Sequence, residues 1–203
     1  MHLATNRFVL RDFVDDDLSL FAAYRADPRS NELHGPEESD PAHAARLIQL
    51  FKTWAAERPR QNFQLATTLL DGSLIGCCGL RMKDAGTGRA ELGVELDPAY
   101  WGRFGYATEI MKRLVDFGFK DLALTQIFGS TISVNARVSR LAGAFGATCL
   151  ERPTPDWMAE KGWRRIEWRI NRDEWLARSH DNSSRPKPLR GTAWKQDRVG
   201  AGH

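Results

Sequence analysis

Long apolar runs are missing from this 203-residue chain. No stretch approaches the ~20 consecutive apolar residues that a bilayer-spanning helix needs, and Met1-His-Leu-Ala-Thr5 holds no apolar signal core, so a cytoplasmic protein with no membrane partner is expected. Cysteine is scarce as well. Cys77, Cys78 and Cys149 form an odd set without CxxC spacing, which argues against a disulfide framework and against zinc. Adjacent Cys77 and Cys78 point to opposite faces of an expected strand and read as small buried residues. No metal is expected. Charge of one sign is also in short supply, with a formal net charge of +3. Residues 179–203 hold Arg185, Lys187, Arg190, Lys195 and Arg198 against Asp181 and Asp197, which accounts for the whole surplus. The remainder balances, so nucleic acid is not an expected partner, and the tail reads as a solvated, disordered extension.

What the chain does have is one domain's worth of alternating elements over residues 1–178. Phe8, Val9 and Leu10 read as a first strand. Asp15-Asp-Asp17 offers N-caps to a helix through Leu18, Leu20, Phe21 and Tyr24. Asp40-Pro41 reads as a cap with proline at the first position of a helix through Ala44, Leu47, Ile48, Phe51 and Trp54. Phe63 to Leu69 and Leu74 to Leu80 flank Asp71-Gly72, a strong hairpin signal. Further strands are expected over Ala90 to Leu96, Ile127 to Val134 and Trp163 to Ile170, and Asn135 caps a helix through Val138, Leu141 and Ala142. These elements describe a single-domain α/β fold with a mixed sheet flanked by helices.

The most informative stretch is Trp101-Gly-Arg-Phe-Gly-Tyr-Ala-Thr-Glu109. It follows a strand and opens a helix with apolar Ile110, Met111, Leu114 and Val115. Glycine lets backbone approach a ligand closely, and the free N–H groups of a helix start favour a phosphate. Such a loop predicts a phosphorylated ligand of unspecified identity.

In order and spacing, four segments resemble the GNAT superfamily of acyl-coenzyme A N-acyltransferases. They are Leu3–Arg11, Asp71-Gly-Ser-Leu-Ile-Gly76, the run from Ala90 to Glu109, and Asn135-Ala-Arg-Val-Ser-Arg-Leu141 with Phe145-Gly146. The closest resemblance is to the branch containing the ribosomal-protein N-terminal acetyltransferases RimJ and RimL. The chain departs from the motif in having Gly102 where Gln or Arg is usual, and Phe104 lengthens the loop by one residue.

The resemblance implies a splayed strand pair holding coenzyme A, with acetyl-CoA as acyl donor. Backbone groups of Val94, Glu95 and Leu96 would pair with the pantetheine arm. Gly102, Arg103, Phe104, Gly105, Tyr106 and Ala107 would cradle the pyrophosphate, with Asn135 and Arg140 (or Arg137) beside them. Acyl transfer to an amine needs a base and a stabilised oxyanion. Glu91 is the leading candidate base, and Glu95, on the same face by period two, is the reserve. Ser139 is a weak candidate acid, since the usual tyrosine position holds Ala142. Trp54, Trp157 and Trp163 are expected near the acceptor cleft, and His34 and His43 in solvent. The acceptor would be an amine of a protein N-terminus or a small molecule, and a homodimer stays open. The alternative is a coenzyme A-binding sensor without turnover.

Overall fold

The computed structural model describes residues 1–32, 42–103 and 105–184. The expectations for His34, Asp40-Pro41, Phe104 and most of the tail therefore lie outside the described residues. Among the described residues, no helix is long and apolar enough to cross a membrane.

Eight strands form one sheet: β1 (His2–Ala4), β2 (Phe8–Arg11), β3 (Asn62–Leu69), β4 (Leu74–Arg81), β5 (Arg89–Leu96), β6 (Gln126–Ile132), β7 (Thr148–Arg152) and β8 (Arg165–Asn171). Their order across the sheet is β1-β2-β3-β4-β5-β6-β8-β7. Every neighbouring pair is antiparallel except β5 and β6, which run parallel. The expected hairpin joins β3 and β4, where Gly72 adopts φ +90° and Asp71 accepts from the Ser73 amide at 2.9 Å.

Helices cover both faces. On one side α1 (Leu18–Arg25) and α3 (His43–Ala56) bury Phe21, Ile48 and Phe51 against Ala66, Leu74 and Cys77. A short α2 (Pro28–Asn31) follows α1, with the Asp27 carboxylate accepting from the Arg29 amide. On the other side α4 (Tyr106–Lys120) packs Ile110, Met111, Leu114 and Val115 against Leu65, Cys78, Leu80 and Leu92. Cys77 and Cys78 therefore serve opposite cores, and burial pushes both thiols up from their ordinary range. The remaining helices are α5 (Ala136–Ala144), α6 (Asp156–Ala159) and α7 (Arg172–Ser184).

Three details differ from the sequence reading. Asp15–Asp17 is a 3-10 turn, and Asp17 is not a side-chain cap of α1. Its buried carboxylate accepts from both Arg11 Nη atoms at 2.7 Å. Strand β7 was not anticipated, because Thr148–Arg152 is a largely exposed edge with no alternation. Finally, α7 continues to Ser184, into the stretch expected as tail. The helix is anchored before that stretch, where Trp175 stacks on Phe145 at 5.5 Å and Arg178 donates to the Phe145 carbonyl at 3.0 Å.

The feature that positions everything below is the parting of β5 from β6. They pair only at Arg89↔Gln126, Ala90↔Ile127 and Glu91↔Phe128, while β5 runs on to Leu96 and β6 to Ile132. Gly129 stands at the vertex. A Cβ there would lie 2.2 Å from the Trp168 ring and 2.9 Å from the Leu92 carbonyl oxygen, so only glycine lets the indole and both strands meet.

Candidate active site

A cleft of about 660 Å³ opens over the parting. The direction of the β5 backbone follows from one bond. Asp97 N–H donates to the Ile75 carbonyl of β4 at 2.9 Å, and backbone direction alternates along a strand. Odd-numbered residues therefore turn their N–H and C=O toward β4, and Leu92, Val94 and Leu96 turn theirs into the parting. This corrects one expectation: the Glu95 backbone is directed at β4, so only its side chain is available to the cleft. The Leu96 carbonyl is already taken by the Trp101 indole N–H at 2.7 Å. Val94 is left as the backbone pair facing the opening.

The glycine loop forms the next wall. Asp97 caps a 3-10 turn (Pro98–Tyr100) by accepting from the Ala99 amide. Gly102 and Gly105 then adopt φ +69° and +74°, the left-handed region that favours glycine. Gly105 is the N-cap of α4 and has no side chain to accept from the first-turn N–H groups. A Cβ there would meet nothing closer than 4.0 Å, so the space above the helix start is open to an anion. The residues present thus fit a pyrophosphate. Gly102, Arg103, Gly105, Tyr106 and Ala107 all line the cleft. The Arg103 guanidinium, however, bends back onto the Ala99 carbonyl at 3.0 Å.

Asn135 caps α5 as expected. Its Oδ1 accepts from the Val138 amide at 3.2 Å, and it lines the cleft with Arg137 and Arg140. The side-chain NH2 of asparagine is a separate donor, so capping and ligand contact can coexist. Arg137 lies 4.0 Å from the centre of the Trp101 ring, a cation–π contact that links the two walls of the cleft. Ser139 is not part of it. Its hydroxyl donates to the Asn135 carbonyl at 3.2 Å within the helix.

The two glutamates separate clearly. Glu91 does not line the cleft. It sits where β5 and β6 are still joined, and its carboxylate pairs with Arg81 at 3.2 Å. Glu95, four residues further along the same face, does line the cleft. Its Oε2 is held at 2.7 Å by Arg25, which is only 9% exposed. That buried arginine fixes the carboxylate's direction.

Of the tryptophans, Trp157 lines the cleft and Trp163 supports it edge-on with ring centres 6.4 Å apart. Trp54 packs on Phe51 instead. Sequence reasoning missed Arg29, Ser30, Ser130 and Arg165. No local signal marks them, since each enters the site only through the path of its strand or helix. Trp101 could have been found, because it directly precedes the glycine loop.

A mixed sheet that parts between two parallel strands, with a bare helix start beside the opening and a carboxylate within it, is the architecture of an acyl-coenzyme A N-acyltransferase. The family model for the acetyltransferase (GNAT) domain matches residues 7–148, and the chain belongs to that family, whose acyl donor is acetyl-CoA. It is 32% identical over 126 residues to the uncharacterized N-acetyltransferase p20 of Bacillus licheniformis, spanning 62% of this chain and 70% of that one. Two solved structures share the fold. An acetyltransferase from Agrobacterium tumefaciens matches with TM-score 0.67 and 24% identity over 84% of this chain and 94% of that one. The ribosomal-protein-S5-alanine acetyltransferase of Vibrio fischeri matches with TM-score 0.65 and 17% identity over 86% and 98%.

Proposed function

We propose that this acyltransferase moves an acetyl group to a primary amine by direct attack, with donor and acceptor bound together, and that Glu95 is its base. When bound, acetyl-CoA supplies the activated thioester. The backbone of Gly102, Arg103, Gly105, Tyr106 and Ala107 at the α4 start would hold the pyrophosphate, with the Arg103 and Arg140 side chains and the Asn135 amide beside it. Val94 offers its amide and carbonyl to the pantetheine arm or, through the N–H, to the thioester oxygen as charge develops there. Glu95 accepts the proton that the attacking amine loses, directly or through one water. The C–N bond forms as the C–S bond breaks, and the thiolate, a better leaving group than an alkoxide or amide, leaves without a dedicated acid. The acceptor amine is carried by a protein N-terminus, as the resemblance to the RimJ/RimL branch suggests, or by a small molecule.

The observation that carries this reading is the coincidence, in one cleft, of the parted strands, the glycine-capped helix start and the Glu95 carboxylate. A thiol-release assay over an amine panel tests it. Glu95→Gln is expected to lower kcat by about 100-fold, while Glu91→Gln leaves it within about twofold. Coenzyme A binding without thiol release on any amine would favour the sensor instead. Equal losses in the two variants would return the base to Glu91 or remove it from β5.

A further inference from the structure

The lining of the cleft is basic. Among the described lining residues Glu95 is the single acid, against Arg29, Arg103, Arg137, Arg140 and Arg165. Three of these arginines stand by the glycine loop and α5. Of the other two, Arg29 is clamped on Asp27 at 2.7 Å. Arg165 is different. Its guanidinium reaches only the neutral Ser130 hydroxyl, at 3.4 Å, and it has no carboxylate partner among the described residues. The acids around it are engaged elsewhere: Glu167 by Arg152 and Arg169, and Glu151 by Arg164.

Register places Arg165 relative to the base. Arg89↔Gln126 and Glu91↔Phe128 fix the β5–β6 offset. Beyond the last pair the strands part, but period two keeps Glu95 on the face of Glu91 and Ile132 on that of Phe128, and Ile132 pairs with Arg165. Cross-strand partners share a face, so the base, a buried isoleucine and a cation in want of an anion stand on one face, in a row of three neighbouring strands. Adjacent strands lie ~4.8 Å apart, so the row spans at least ~10 Å, and more where the sheet parts. Trp157 and Met158 add apolar surface to the same cleft.

We propose, resting on the acyl-transfer reading above, that the acceptor is an amine joined by an apolar spacer of ~10 Å to a carboxylate, and that Arg165, with Ser130, is the specificity-determining residue that holds that carboxylate. A polyamine does not fit this row, because its second cation would meet Arg165.

Three amines of equal length differing only at the far end test this: 8-aminooctanoate, octylamine and 1,8-diaminooctane. The wild-type protein is expected to favour the carboxylate over the diamine by about tenfold or more in kcat/KM, mostly through KM. Arg165→Gln should erase the preference and Arg165→Glu reverse it, with affinity for coenzyme A unchanged. Amidated tripeptides ending in Asp or Lys put the same question to a peptide acceptor, and the faster acidic probe identifies the source. A wild-type preference for the diamine or no preference would overturn the proposal whatever the variants do. So would equal loss on all three amines in Arg165→Glu. Transfer to octylamine without discrimination sinks this inference alone, whereas no transfer to any amine sinks the acyl-transfer reading with it.

Discussion

Glu91 and Glu95 face the same way on one strand, and period two in the sequence says as much. What distinguishes them is how far β6 keeps pace with β5, a long-range fact that no local pattern encodes. The Asn135 cap was legible because a strand-to-helix junction marks it. Asn135→Ala should cost about 1 kcal/mol of stability, read as a lower denaturation midpoint, and should weaken coenzyme A binding as well, whereas a cap alone would affect only the first. At Gly105 the left-handed conformation favours glycine, and the space above it is open. Gly105→Glu is expected to weaken coenzyme A binding by at least about tenfold, ~1.4 kcal/mol, by placing a carboxylate where the pyrophosphate belongs. Calorimetric titration of the folded variant decides it, and unchanged affinity would remove the cradle from this loop.

Elements were read more reliably than their edges. Strands β3, β4 and β5 emerged within a residue or two, because short apolar runs and the Asp71-Gly72 turn mark them locally. Strand β7 did not, since an edge strand that buries little leaves no hydrophobic imprint. The cap expected of Asp17 failed for a related reason: a fork from the half-buried Arg11 guanidinium holds its buried carboxylate instead. The parting of β5 from β6 was expected only through family resemblance, yet its vertex is written in one residue. Gly129→Leu should destabilise the fold by about 1–3 kcal/mol, because neither the Leu92 carbonyl nor the packed Trp168 indole can retreat. Urea unfolding would show it, and a neutral result would mean that Trp168 does not fill the vertex.

On the scale of the molecule, paired carboxylates set the acid limit. Hydrogen bonds from Arg152, then Arg169, hold Glu167 below the usual carboxylate range against the opposing effect of burial. At Glu109, burial pushes upward but hydrogen bonds from Thr5 and Arg7 prevail, so it too is lowered. The unfolded chain therefore binds more protons in acid. The stability these groups contribute is present above the ordinary range and is lost as pH falls below ~4. Thermal midpoints should be flat near neutrality and drop below that pH, with a smaller drop in Glu167→Gln. Truncation after Ser184 should leave acyl transfer intact, since the helix packed on Phe145 is retained. The largest consequence comes from the shortness of the β5–β6 seam. Three residue pairs are the only strand contact among the described residues between a five-stranded half and a three-stranded half of the sheet. Within the sheet the two halves are sewn along one short edge above the shared α4 core, and a molecule lodged in the gap is a rivet. Coenzyme A at about 100 times its Kd should add ~2.7 kcal/mol to global stability, and in hydrogen exchange the slowing should spread through β6 and β8 to β7, beyond the residues that line the cleft.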